Sequence, residues 1–206
     1  AFNNTGTVNV TQGVLSFTGG GVHTGSFVAG VNGLLEFGGS THQLNAGASV
    51  TGNVRLINAP FGPLNVNAGA TYNAANTEIV SGGALAVTDA GLTANTGTLT
   101  LSGGTISGAG NLAVSGLMTF NAGTVGSGGG SVQANGGLSI VGPGTKSLSG
   151  STSSLVNNGA ATWSGTGGFN NPFGGRFINS ASGTLDIQTD ADFSSGTFDN
   201  AGVLTK

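Results

Sequence analysis

Glycine recurs along this chain too often for helices to form. The 206 residues include 42 glycines, and the longest stretches without one are Ala70–Ser81 and Thr184–Ser195, twelve residues each. A glycine in a helix interior costs about 1 kcal/mol relative to alanine, and a helix of ordinary length here would contain several. The sequence therefore predicts an all-β chain.

Short segments between the glycines alternate apolar and polar residues. Most of them read glycine, any residue, apolar, any residue, apolar, which is typical of a strand with one buried face. The segments are GVLSF (13–17), GLLEF (33–37), GPLNV (62–66), GALAV (83–87), GTLTL (97–101), GLMTF (116–120), GLSIV (137–141), the degenerate GAATW (159–163), GTLDI (183–187) and GVLT (202–205).

These segments recur with a loose period. Nine uneven intervals separate Gly13 from Gly202, and they average about 21 residues, the length of a short solenoid repeat. Such a period indicates a solenoid, because one short unit cannot bury its apolar face whereas stacked units can. We predict a single-stranded parallel β-helix of roughly ten coils of about 20 residues. Its inward residues would include Leu15, Phe17, Leu35 and Phe37.

A second pattern marks the corners between strands. In it an apolar residue is followed by asparagine, one or more small residues, glycine and then a strand. Glycine and asparagine tolerate the backbone angles of tight turns, and asparagines repeated in successive coils can form a hydrogen-bonded ladder. The copies are FNNTGTVNV (2–10), LVNNGAATW (155–163), FINSASGTLDI (177–187) and FDNAGVLT (198–205).

Composition excludes several classes of protein. Hydrophobic residues make up 37% of the chain and charged residues only 5%, whereas disordered segments are usually charged and poor in aliphatic residues. A net charge of −3 with four Lys and Arg argues against nucleic-acid binding. The absence of cysteine excludes disulfides and thiolate metal sites, and no apolar run is long enough to span a membrane. We expect residues 1–206 to form one domain, a fragment of a longer repeat array, that uses no cofactor.

The segments GTLTLSGGTISGAGNLAVSG (97–116) and FNNTGTVNV, with its downstream copies, resemble passenger repeats of bacterial autotransporters and filamentous-haemagglutinin-like adhesins. The resemblance extends loosely along the whole chain. It implies a right-handed parallel β-helix that is extracellular or on the bacterial cell surface and serves as a stalk or adhesive fibre. The implied partners are host or matrix glycans or proteins and the neighbouring coils of the parent chain.

Two loops of similar sequence interrupt the repeat, at 58–62 and 170–174, and the two arginines lie close to them in sequence. Proline and glycine favour a turn, so each loop could project and present its phenylalanine beside an arginine to a sugar or a protein. Alternatively, each phenylalanine folds back and covers a corner of the core. The candidate ligand-contact residues are Arg55, Pro60, Phe61, Pro172, Phe173 and Arg176.

Two further sets of residues are candidates for metal binding. His23 and His42 are separated by close to one period, so they are expected to stack in adjacent coils, and we interpret them as surface histidines because only Glu36 lies nearby as a third ligand. Four aspartates lie near the C-terminal end and could supply oxygens to calcium, although their spacing matches neither an EF-hand loop nor the nonapeptide calcium repeat. Aspartates in solvent-facing turns explain this set more simply. They are Asp186, Asp190, Asp192 and Asp199.

The sequence favours a structural function. Seven acidic residues, four basic residues and two histidines, spread over ten coils, offer little material for a hydrolase or a lyase, so we predict no enzymatic activity. We expect a structural stalk or adhesin segment of a secreted or surface-exposed bacterial protein. The alternative is a carbohydrate-binding or polysaccharide-active β-helix, either a lyase or a hydrolase.

Overall fold

The computed structural model describes residues 1–171 and 173–206, with the side chains of residues 58–61 excepted. The described chain is all-β, as predicted, and within it no helix has the length and apolar character needed to cross a lipid bilayer. The strands are β1 (Thr7–Phe17), β2 (Gly21–His23), β3 (Ser26–Leu44), β4 (Ser49–Val66), β5 (Thr71–Val80), β6 (Ala84–Val87), β7 (Thr93–Ser107), β8 (Asn111–Val114), β9 (Met118–Gly126), β10 (Ser131–Ala134), β11 (Leu138–Ile140), β12 (Lys146–Ser149), β13 (Ser154–Asn157), β14 (Ala160–Trp163), β15 (Phe169–Asn170), β16 (Arg176–Asn179), β17 (Thr184–Ile187), β18 (Phe193–Ser194), β19 (Thr197–Asn200) and β20 (Val203–Thr205).

The strands stack as a parallel β-solenoid of about nine turns, roughly 21 residues apart, which confirms the predicted fold. Each complete turn contributes segments to three faces, and the last segments, 197–200 and 203–205, begin a further turn on faces 1 and 2. Long strands such as β3 and β4 bend through all three faces. Face 1 comprises 7–10, 26–29, 49–52, 71–74, 93–96, 111–114, 131–134, 154–157, 176–179 and 197–200. Face 2 comprises 13–17, 33–37, 53–57, 76–80, 98–101, 118–120, 138–140, 160–163, 184–187 and 203–205. Face 3 comprises 21–23, 42–44, 64–66, 84–87, 105–107, 123–126, 146–149, 169–170 and 193–194.

The core is a column of side chains inside the three faces. Phe17, Leu35 and Phe37 point inward and are buried, as predicted. Leu15 lies in the same inward column as Leu35, as predicted, but its side chain is 40% exposed. Leu15 lies in the first turn, where Leu35 of the second turn covers only one side of it.

One charged side chain is fully buried. Lys146 occupies an inward position of face 3, where its aliphatic stem fills the core. Its ammonium group donates to the carbonyl oxygens of Gly142 and Gly167, at 3.0 and 3.2 Å, in the turns of two successive coils. Burial lowers the pKa of this lysine from its usual value.

Asparagine ladders fix the corners, as the sequence predicts. At the end of face 1, Asn157 donates to Asn179 at 2.9 Å, and Asn179 donates to Asn200 at 2.7 Å. These are the asparagines of the three downstream corner copies. Asn4 of the FNNTG copy lies at a different corner, between face 3 and face 1, where its backbone bridges to His23. The pattern therefore predicts a corner without specifying which one.

Candidate functional site

The candidate functional site is a groove on face 2. It has a volume of about 490 Å³, within the range of sites that bind small molecules. Its floor crosses the second to fifth turns, and its wall is a bulge at the corner between face 1 and face 2. The lining residues are Gly13, Val14, Val31, Asn32, Gly33, Leu34, Asn53, Val54, Asn76, Thr77, Glu78, Thr98 and Thr100.

A ladder of amide and hydroxyl groups forms the floor of the groove. Thr98 donates through its hydroxyl to the amide oxygen of Asn76 at 2.6 Å. Asn76 in turn donates to the amide oxygen of Asn53 at 2.6 Å. Because the three residues occupy equivalent outward positions in successive turns, their polar groups are spaced by the strand separation of about 4.8 Å.

The wall of the groove is the bulge at residues 30–33. Here the pairing of β3 with its neighbours shifts in register, and the backbone leaves the regular path. Val31 at the tip is 90% exposed. The amide nitrogen of Asn53 lies 3.0 Å from the carbonyl oxygen of Gly33, 3.2 Å from that of Gly30 and 3.3 Å from that of Val31, and so it fixes the bulge to the floor.

The bulge also depends on glycine. A Cβ atom on Gly33 would lie 1.9 Å from the carbonyl oxygen of Val10, far closer than any real contact. Gly52, one turn later, has a φ of 88°, and its Cβ would lie 1.9 Å from the carbonyl oxygen of Ala29. The backbones of successive turns therefore approach closely here, and side chains at these positions would force them apart.

Buried hydroxyl groups support the floor from inside the core. The Tyr72 hydroxyl and the Thr77 hydroxyl are 2.9 Å apart, and the Thr77 hydroxyl lies 2.9 Å from that of Thr96. Thr96 then donates to the backbone carbonyl of Thr98 at 2.8 Å. Burial raises the pKa of Tyr72, so its phenol stays neutral over the usual pH range. Because each of these hydroxyls is hydrogen-bonded, the floor is held in one conformation.

A column of charged residues lies beside the groove, in the next outward column of face 2, and its member Glu78 lines the groove. Arg55 lies between Glu36 of the turn before and Glu78 of the turn after. Its Nε donates to Glu78 at 2.7 Å, and its Nη1 lies 3.5 Å from Glu36. Hydrogen bonding to Glu78 raises the pKa of the Arg55 guanidinium. Two carboxylates against one guanidinium leave this side of the groove with an excess negative charge.

The structure does not bring the two predicted ligand-contact loops together. Arg55 lies on face 2 in the third turn, whereas Arg176 lies on face 1 in the ninth turn, roughly 30 Å away along the axis. Arg176 pairs with Asp199 of the next turn, with 3.0 Å between Nε and the carboxylate.

Phe173 lies in a turn, and 69% of its surface is accessible. The first loop differs from expectation, because β4 runs from Ser49 to Val66 and residues 58–62 therefore lie within a strand. Pro172 and the side chains of Pro60 and Phe61 lie outside the described residues.

The histidines stack in adjacent turns, as predicted, but they are not surface residues. The rings of His23 and His42 have centroids 5.4 Å apart at an angle of 14°, and both side chains are almost fully buried. Both occupy inward positions of face 3, where the pairing register directs them into the core. Glu36 points outward on face 2, so it does not complete a ligand set with them.

The four C-terminal aspartates are dispersed. Asp186 lies on face 2 beside Thr205, and Asp199 lies on face 1 beside Arg176. Asp190 is in the connection between face 2 and face 3 and pairs with Lys206, which lowers the pKa of this aspartate. Among the residues that the structure describes, no group of three or more His, Asp or Glu could hold a metal ion.

Sequence reasoning located Arg55 but not the groove next to it. The groove depends on the register shift in β3, which exposes Val31. It also depends on the pairing of β4 with β5 and of β5 with β7, which aligns Asn53, Asn76 and Thr98 in one column. The glycines that flank the bulge in GVNG (30–33) are the one sequence signal of an irregularity there.

Comparisons with family models, with curated proteins and with solved structures found no match to this chain.

Proposed function

We propose that this chain is a structural stalk or adhesin segment of a secreted or surface-exposed bacterial protein. The observation that carries the proposal is the parallel pairing of successive turns on three faces over about nine turns. Bending such a rod would open backbone hydrogen bonds along one face, so the stack resists bending. The bacterial and surface-exposed parts of the proposal rest on the resemblance to adhesin passenger repeats.

The placement of the basic residues supports a role in a protease-rich environment. Proteases that cut after lysine or arginine have four target residues in the chain. Lys146 is fully buried, and Arg55 and Arg176 lie within paired strands. Extended strands held in a ladder are poor protease substrates, because cleavage requires local opening.

The groove on face 2 is the proposed contact site for a glycan or protein of the host or matrix. It also favours the carbohydrate-binding alternative over a purely passive spacer, since it is concave and carries ordered polar groups. We do not extend the proposal to catalysis. Glu36 and Glu78, the carboxylates beside the groove, are both engaged by Arg55.

The stalk function is tested by measuring the length and stiffness of the rod. The chain has no cysteine, so a spin label can be attached at Thr7→Cys together with Thr197→Cys, two exposed outward positions of face 1. Nine strand separations give an expected distance of about 43 Å with a narrow distribution, whether salt is low or high. The pair Thr7→Cys and Thr93→Cys, four turns apart, should give about 19 Å. A broad distribution, or a distance that changes with salt, would contradict a rigid stalk.

The location is tested separately. An antibody raised against the folded chain should label intact cells of the source organism, or the medium around them. Labelling that appears only after the cells are permeabilised would contradict a secreted or surface-exposed protein.

A further inference from the structure

We propose that the groove on face 2 binds a linear, uncharged oligosaccharide that lies along the solenoid axis. The inference names the ligand class of the contact site in the proposed function, and it rests on that function.

The shape of the groove fits an extended ligand. Leu34, Asn53, Asn76 and Thr98 occupy equivalent outward positions in four successive turns, so the floor is about 14 Å long in the axial direction. The bulge with Val31 borders it along one side. A chain of three or four sugar rings has the length and width to lie in this space.

The floor of the groove changes from apolar to polar along the axis, and an oligosaccharide offers both C–H groups and hydroxyl groups along its length. The exposed side chains of Val14 and Val31, with Leu34, provide apolar contact for the C–H groups of a ring. The ladder of Asn76 and Thr98 presents amide and hydroxyl groups to ring hydroxyls. Burying these polar groups under an entirely apolar ligand would cost free energy, because their hydrogen bonds to water would not be replaced.

The polar groups of the ladder can form further hydrogen bonds to a ligand in addition to the bonds within the ladder. The Thr98 hydroxyl donates to Asn76, and its oxygen still has lone pairs that can accept. Asn76 has a second N–H on the nitrogen that donates to Asn53. These groups are held in place by their neighbours, so binding does not require them to be ordered first.

Charge selects against anionic ligands. Glu36 and Glu78 face a single Arg55, and the excess carboxylate would repel uronates, sulfated sugars and phosphodiesters. A peptide strand is excluded for a different reason. The floor strands are paired on both sides with the turns before and after, so no open edge is available for a further strand.

We expect weak binding, with a Kd between about 0.1 and 5 mM, because none of the described residues that line the groove is aromatic and could stack on a sugar. Avidity on a polymeric glycan would compensate for weak binding at each groove.

The test is an NMR titration of the isotope-labelled chain with cellotetraose, with maltotetraose and with anionic tetragalacturonate. Thr98→Val removes a floor hydroxyl while it keeps the branched shape and should weaken binding about fivefold. Thr162→Val is the matched control, because Thr162 is also outward on face 2 but lies three turns beyond Thr98 and outside the groove. Val31→Trp adds a stacking surface at an exposed position and should strengthen binding about fivefold.

Four results together would support the inference. A neutral tetrasaccharide shifts amide resonances of the groove residues, Thr98→Val weakens this binding, Thr162→Val leaves it unchanged, and tetragalacturonate does not bind. It is overturned if neither neutral sugar shifts these resonances at about 20 mM. It is also overturned if shifts lie elsewhere, if Thr98→Val has no effect, if both valine variants weaken binding equally, or if the anionic sugar binds more tightly. None of these results changes the spin-label distances, so a failed titration leaves the stalk function standing.

Discussion

The buried histidine pair forms a hydrogen-bonded chain whose direction is fixed at both ends. The backbone N–H of Asn4 donates to Nδ1 of His23 at 3.3 Å, and Nε2 of His42 lies 3.1 Å from the carbonyl oxygen of Phe17. A backbone N–H can only donate and a carbonyl can only accept, which assigns the protons of both rings. Nε2 of His23 therefore donates to Nδ1 of His42, 3.1 Å away. Both rings are neutral in this arrangement, and an added proton would place two donors against each other.

This arrangement predicts that the protein loses stability in mild acid. Burial, with the neighbouring His42, lowers the pKa of His23 to about 4, and burial also lowers the pKa of His42. The unfolded chain takes up protons near pH 6.5 and the folded chain does not, so stability is complete above about pH 6.5 and falls toward pH 4. We expect His23 alone to account for about 3 kcal/mol of this loss.

Urea unfolding at a series of pH values measures the effect. The double variant His23→Gln and His42→Gln keeps amide donors and acceptors but has no group at these positions that titrates between pH 5 and 7. Its free energy of unfolding should be nearly constant over this range. An equally flat profile for the parent protein would show that the pair is not neutral and buried in solution.

At the scale of strands and corners, alternation in the sequence predicted strands but not the face on which each one lies. Of the ten repeat segments, GPLNV (62–66) and GALAV (83–87) belong to face 3, and the others belong to face 2. The third and fourth turns contribute 53–57 and 76–80 to face 2 instead. Strands on all faces alternate in the same way, so only the pairing register distinguishes them. This mixture of faces explains why the intervals between the repeat segments are uneven.

The dependence on pairing register also explains why the sequence did not predict that the histidines are buried or that face 2 carries a groove. The spacing of His23 and His42 predicted that they stack, but only the pairing register shows that both point inward from face 3. The groove needs three side chains to align across turns and a bulge to border them. Both depend on contacts between residues that are one turn apart in sequence, and no local pattern encodes these contacts.

We expect the buried asparagine ladder at the end of face 1 to stabilise the protein more than the exposed hydrogen bonds at other corners do. Asn179 is fully buried, accepts from Asn157, and donates to Asn200 and to the carbonyl of Val203. Asn179→Ala would leave buried polar groups without partners on both sides, so we expect a loss of about 3 kcal/mol. Asn158→Ala is the control, because Asn158 donates to Asn135 at an exposed corner and should cost less than about 1 kcal/mol. Urea unfolding of the two variants measures both losses of free energy. Equal losses of unfolding free energy in the two variants would mean that burial does not determine how much the ladder stabilises the protein.

For the whole molecule, the strand pairing joins each turn only to the turn before and the turn after. Stability in such an array is the sum of each turn and its two interfaces, so a local defect should have effects that depend on its position. Leu99 and Leu185 test this, because both are buried in the same inward column of face 2, in the fifth and ninth turns. Each change to alanine should cost between about 2 and 5 kcal/mol locally.

Amide hydrogen exchange resolves where the stability is lost. Leu185→Ala should speed exchange in the last two or three turns and leave the first five turns protected as in the parent protein. Leu99→Ala should weaken protection on both sides of the fifth turn, because it breaks the array near its middle and leaves two shorter stacks that each bury less surface. If both variants lowered protection equally at every amide, the nine turns would unfold as one cooperative unit. The stability of the solenoid would then depend on coupling across its whole length rather than on contacts between neighbouring turns.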